Sequence, residues 1–113
     1  MARPAGPQPQ SGAAAAVAQV VYSENALANL ERAFEFLAEH DAGAARNAAA
    51  AIGEAVETLA NHPLLGRRMT GEMRELVISY GKTGYVALYR IVPARNQVRI
   101  LAIRHQRELD YPT

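Results

Sequence analysis

Seven side chains in the C-terminal half carry the charges and proton-transfer groups that chemistry on an anionic substrate would need: Arg74, Arg90, Arg99, Arg104, His105, Arg107 and Tyr111. Guanidinium groups grip phosphates through paired, charge-assisted hydrogen bonds, and a histidine with a tyrosine can supply acid–base chemistry on RNA. The competing reading is that edge and surface strands commonly carry Arg for solubility. His105 is set apart because it ends an apolar run beside two cations. Other chemistries lack their residues. The absence of Cys excludes disulfides and thiol catalysis. His40, His62 and His105 fall on three different predicted elements, and none belongs to a ligand pair at useful spacing, so neither a metal nor a cofactor is expected. Gly81-Lys82-Thr83-Gly84 joins one strand-like run to another instead of leading into a helix, which excludes a phosphate-binding loop. No Ser/His/Asp arrangement has a local signature.

The elements that must position these groups are legible. From Met73 to His105, three runs dense in Val, Ile, Leu and Tyr are separated by Gly-Lys-Thr-Gly and Pro-Ala-Arg-Asn-Gln, and such short connections make consecutive strands antiparallel. The stretch reads as a three-stranded meander. If Tyr80 and Tyr85 close a four-residue loop over Gly81–Gly84, Leu76 faces Tyr89 and Glu75 faces Arg90 as an opposite-charge pair. In the second hairpin, pairing Val92 with Val98 avoids placing Arg90 opposite Arg99. A one-residue change there would flip every side chain of the last strand, and the sequence leaves that register open.

Ahead of the meander, Val17–Tyr22 reads as a short strand. Ser23 then caps a helix whose apolar stripe is Leu27, Leu30, Phe34 and Leu37, with Ala26 and Ala33 on the same side, and His40-Asp41-Ala42-Gly43 ends it. A second helix is expected from Ala44 to Asn61, its stripe Ala45, Ala48, Ala49, Ile52, Val56 and Leu59, stopped by Pro63. Leu64-Leu65-Gly66-Arg67-Arg68 reads as a loop carrying two adjacent cations. The two apolar stripes and the meander need mutual cover, so the fold class is α+β, with an N-terminal strand and an antiparallel helical hairpin packed on an antiparallel meander.

The chain of 113 residues suits one domain, expected over residues 17–113 after a mobile tail at 1–16 that is rich in Pro, Gly and Gln. No apolar run approaches the ~20 residues of a membrane span. With no cysteine and no recognisable signal peptide, a cytoplasmic location is expected. Formal net charge is only +1, which disfavours a generic nucleic-acid binder, but its distribution is uneven. Residues 17–61 hold two Arg and seven acids, net −5, whereas residues 62–113 hold nine basic groups and four acids, net +5. A basic sheet and a solvated acidic helical face follow.

In combination, the phrases YSENALANLERAFEFLAEHD, NHPLLGRRM, RELVISYGKTGYVALYRI and VRILAIRHQRELDY resemble the RelE/ParE superfamily of toxins from bacterial type II toxin–antitoxin operons. The resemblance covers about residues 17 to 111 and implies a cognate antitoxin as partner. Two activities share this fold, so fold alone does not choose between them. One branch cuts messenger RNA on the ribosome with clustered basic residues and a Tyr; the other poisons DNA gyrase without cutting RNA. By resemblance, His105 and Tyr111 match positions of the ribonuclease branch. That branch also places an Arg three residues before a Tyr on the middle meander strand, where this chain has Val86. Its Lys-rich loop is reduced here to Arg67 and Arg68. The resemblance therefore points to DNA gyrase, with Arg67, Arg68, Arg74, Arg90, Arg104 and Arg107 meeting target or antitoxin. The alternatives are a ribosome-dependent endoribonuclease acting on messenger RNA through Arg104, His105, Arg107 and Tyr111, and an inactive module that only binds its antitoxin.

Overall fold

The computed structural model describes residues 17–80, 83–107 and 111, so the expected N-terminal tail lies outside the described residues. In chain order the elements are β1 (Gln19–Tyr22), α1 (Glu24–Ala38), α2 (Ala42–Glu57), β2 (Arg67–Arg68), β3 (Met73–Tyr80), β4 (Thr83–Val92) and β5 (Gln97–His105). The strands form one mixed sheet in the order β1-β5-β4-β3-β2, with β1 parallel to β5 and every other pair antiparallel. Both helices pack on one face, over a core that includes Ile52, Val56, Leu59, Tyr89, Val98 and Ile100. The expected layering and meander are present.

Ser23 caps α1 as expected, its hydroxyl accepting the Ala26 N–H at 3.0 Å. The stripe is rotated from the expected one. Ala26 and Asn29 are buried, with Leu30 and Ala33 against the core, while Leu27 and Phe34 stay 50% and 40% exposed. Small residues win the sheet-facing positions because they let the helix axis approach the strands closely. Asp41, expected to help end the first helix, instead begins the second: its carboxylate accepts the Ala44 N–H at 3.1 Å. That helix ends at Glu57 and continues as a single tight turn over Thr58–Ala60, short of the expected Asn61.

The first hairpin departs from the expected register by two residues. Tyr80 pairs with Thr83, so only residues 81 and 82 connect the strands, and these lie outside the described residues. Glu75 therefore lies across from Leu88 and Arg90 from Met73, which removes the expected Glu75–Arg90 pair while leaving both on the same sheet face. A two-residue connection closes a hairpin as readily as a four-residue one, so the Gly-Lys-Thr-Gly run does not by itself set the register. Arg67 and Arg68, expected in a loop, form the short edge strand β2 opposite Glu75 and Arg74.

The last strand uses two registers. From Val92–Gln97 to Tyr89–Ile100 the pairing sets Arg90 directly opposite Arg99, the arrangement the Val92–Val98 pairing would avoid. Beyond Leu88 the pairing shifts by one, leaving Leu101 as an extra residue in β5. The turn explains the first register: Asn96 adopts a left-handed conformation (φ 49°) that closes Pro93–Arg95 onto β5. Helix α1 supports the second. Ser23 Oγ and Asn25 Nδ2 each donate to the Leu101 carbonyl at 3.1 Å, and Asn29 Oδ1 accepts the Ile103 N–H at 2.9 Å. Where β1 ends, these side chains take over the hydrogen bonds of the β5 edge.

Candidate functional site

The sheet face away from the helices carries most of the charged strand residues: Arg67, Glu75, Arg90, Arg99 and Arg104. At its β2 end sits Glu75, 3% exposed, at the meeting point of three side chains. Arg67 donates to Oε1 from Nη2 at 2.7 Å and from Nε at 3.2 Å. The Tyr111 hydroxyl donates to Oε2 at 2.5 Å, and Arg104 Nη2 lies 3.6 Å from the same oxygen. The Arg104 guanidinium also lies over the Tyr111 ring, 4.9 Å from its centre. Burial by itself would push the Glu75 carboxyl up; the Tyr111 hydrogen bond and the two cations outweigh it and hold the group below the ordinary carboxylate range. Burial, followed by the bond to Glu75, pushes the Tyr111 phenol well above its ordinary value despite the opposing charge of Arg104. Tyr111 is therefore a committed donor rather than a proton acceptor.

The loop before β2 is what aims Arg67. Fully buried Tyr89 donates from its hydroxyl to the Pro63 carbonyl at 2.7 Å and accepts the Gly66 N–H at 2.8 Å. A side chain at Gly66 has no room: its Cβ would fall 2.6 Å from Tyr89 Cε1 and 2.8 Å from the Glu75 carbonyl oxygen. Arg74 completes the clamp, donating to the Gly66 carbonyl at 2.7 Å and the Leu64 carbonyl at 3.3 Å. Of the six arginines expected to meet a partner, Arg74 thus fastens a loop, and Arg67 and Arg104 hold an internal carboxylate. Arg68, Arg90 and Arg107 are exposed or edge positions.

Of the residues of the ribonuclease alternative, Arg104, His105 and Arg107 line one groove, while Tyr111 lies apart from His105. Arg104 and Tyr111 lie on the open face with Glu75, whereas His105 pairs across the sheet with Tyr85 on the helix-facing side. Its ring meets the Tyr85 ring edge-on, with centres 5.3 Å apart, and its Nδ1 accepts the Arg107 N–H at 3.1 Å. There His105 lines an open groove of ≈ 730 Å³ between α1 and the end of β5, together with Asn29, Arg32, Phe36, Tyr85, Arg104 and Arg107. Phe36 is 65% exposed beside it. Val86, 4% exposed, pairs with Arg104 and Val77 in the middle of the open face. Sequence reasoning missed Glu75 as the centre of this cluster; its place in a run of strand apolars, MRELVISY, was the available signal, because a carboxylate buried there needs partners. Among the described residues no group of His, Asp and Glu is placed to hold a metal, and no helix is long and apolar enough to cross a membrane.

The model of the family described as ParE toxin of type II toxin-antitoxin system, parDE, matches residues 20–110. Toxin RelE3 of Caulobacter vibrioides is 50% identical over 52 residues, which are 46% of this chain, so the chain spans about half (54%) of the length of that relative. Toxin RelE2 of the same organism is 34% identical over 93 residues, 82% of this chain and 100% of that protein. Among solved structures, the chromosomal ParDE toxin–antitoxin system from P. aeruginosa superposes with a TM-score of 0.65 at 18% identity, covering 80% of this chain and 97% of that one. The toxin–antitoxin complex RelBE2 from Mycobacterium tuberculosis gives 0.55 at 24% identity, covering 80% and 99%. At those identities the two structures speak for the fold, and the family rests on the sequence match: this chain belongs to the ParE toxin family of type II toxin–antitoxin systems.

Proposed function

We propose that this protein is a cytoplasmic toxin that inhibits DNA gyrase and is neutralised by a cognate antitoxin. The observation that carries the choice of target is the Glu75 carboxylate between Arg67, Arg104 and Tyr111. Cations that already hold a buried carboxylate are poor electrophiles for a scissile phosphate, and a bound anion repels a second one. Val86 adds to this, since an aliphatic side chain cannot stabilise the charge of a pentavalent phosphorane, and the loss of one such group typically costs ~10²–10³ in rate. His105 and Tyr111, on opposite faces of the sheet, cannot act on the same atom as acid and base. Poisoning a cleaved-DNA intermediate requires an interface and no catalytic centre. The proposed antitoxin segment covers the groove beside α1, where Phe36 is exposed, and its acidic groups meet arginines of the sheet.

Similarity to two proteins called RelE favours a second reading, ribosome-dependent cleavage of messenger RNA. Purified protein separates the two. Inhibition of gyrase supercoiling, with messenger RNA on programmed ribosomes left intact, is the expected result. Codon-positioned cleavage abolished by His105→Ala or Tyr111→Phe would replace this proposal with the second reading. On the partner side, added antitoxin should slow hydrogen exchange in both α1 and the sheet; protection of neither would remove the groove from the proposal.

A further inference from the structure

We propose that Arg90 and Arg99 form a recognition site for an acidic, extended polypeptide segment, one that alternates carboxylates with apolar residues. The two side chains lie directly opposite one another on neighbouring strands, on the sheet face that the helices leave open. Like charges in that position destabilise a sheet. No acid among the described residues pairs with either, although the sheet supplies Glu75 to Arg67 and Arg104 a few residues away. The arrangement depends on the extra residue Leu101. Without it, strict alternation would put Arg99 and Arg104 on opposite faces, since they are an odd number of residues apart. The bulge brings both to the open face, where among the described residues Arg104 shares Glu75 with Arg67 while Arg90 and Arg99 meet no acid.

The surroundings select the class of partner. Val21 flanks Arg99 on β1, Met73 flanks Arg90 on β3, and Val92 and Gln97 follow at the hairpin end. The Gln97 amide oxygen is screened from water and meets no hydrogen-bond donor among the described residues. A polypeptide offers carboxylates for the two guanidiniums, apolar side chains for the valines and methionine, and N–H donors for the amide after it rotates. A phosphodiester backbone offers the anion alone, with no apolar side chains for the valines and the methionine. The site rests on the proposed function only for the existence of a partner that covers the sheet, and it adds Arg99 to the arginines considered there.

The test is a fluorescence-anisotropy titration of the purified chain with a short labelled peptide of alternating Glu and Val. A Lys–Val peptide and labelled single-stranded and duplex DNA are run in parallel. The Glu–Val peptide should bind most tightly, and Arg90→Gln and Arg99→Gln should each weaken it about tenfold, while Arg46→Gln on the outside of α2 leaves it unchanged. Melting of each variant, followed by circular dichroism, establishes that it is folded. Peptide affinity insensitive to both substitutions would overturn the proposal, as would tighter binding of DNA that the same two substitutions abolish. Gyrase inhibition or growth arrest unaltered in either outcome leaves the target reading standing, so the two proposals fail separately.

Discussion

Two corners of one sheet face handle arginine in opposite ways. Around Glu75, two guanidiniums and a phenol converge on a carboxylate that is almost wholly removed from water. Around Arg90 and Arg99, two guanidiniums face each other across neighbouring strands with no acid among the described residues. The first corner draws on β2, β3 and β5 with Tyr111, the second on β4 and β5, and each holds two Arg. The difference is whether a carboxylate inside the molecule balances part of that charge or, among the described residues, none does. A balanced cluster contributes to folding and ties distant segments together. An unbalanced pair costs stability and remains available to a partner. Counting arginines therefore overstates the binding surface, because Arg67, Arg74 and Arg104 already have internal acceptors.

The largest effect should come from emptying the balanced corner. Glu75→Ala should destabilise the protein by about 3 kcal/mol, at the low end for a broken buried pair because Arg67 can turn to water; urea unfolding measures it. A loss within experimental error would mean that the cluster is decorative and the two corners equivalent. Acid offers a milder route to the same end. The Glu75 carboxyl is held below its unfolded value, so its stabilisation is complete above the ordinary carboxylate range and fades as pH falls through the lower, folded value. Wild type should therefore lose stability below about pH 4.5 more steeply than Glu75→Gln, and parallel pH profiles would count against the assignment.

A smaller loss tests how the balanced corner is positioned. Gly66→Ala should cost about 2 kcal/mol, because the added methyl overlaps the Tyr89 ring and the Glu75 carbonyl, and the loop must shift to admit it. The shift should also slacken the Arg67–Glu75 contact, so the steep acid limb should weaken in this variant. The smallest effect has the opposite sign. Arg90→Gln should raise stability by about 0.5 kcal/mol through relief of like-charge opposition, and added salt should shrink the gain. A destabilised Arg90→Gln would show that this corner is balanced after all.

Much of the architecture was written locally. Ser23 ahead of an amphipathic run, the alanine-rich second helix stopped before Pro63, and three runs of strand formers with short connections are properties of neighbouring residues, and local sterics and periodicity suffice to read them. The charge division between the halves was equally plain from composition. What the tertiary structure alone decided was register. The Tyr80–Thr83 pairing determines which side chains lie opposite one another, and the single extra residue at Leu101 determines which share a face; neither has a distinctive local signal in this chain. The bulge is stabilised by Ser23, Asn25 and Asn29, more than 70 positions away in sequence, so no window along β5 could reveal it. For the same reason the separation of His105 from Tyr111, the gathering of Arg67, Arg104 and Tyr111 on Glu75, and the opposition of Arg90 to Arg99 emerged only in three dimensions. Side-chain identity follows from the sequence; on a sheet, a one-residue slip decides which of those side chains meet.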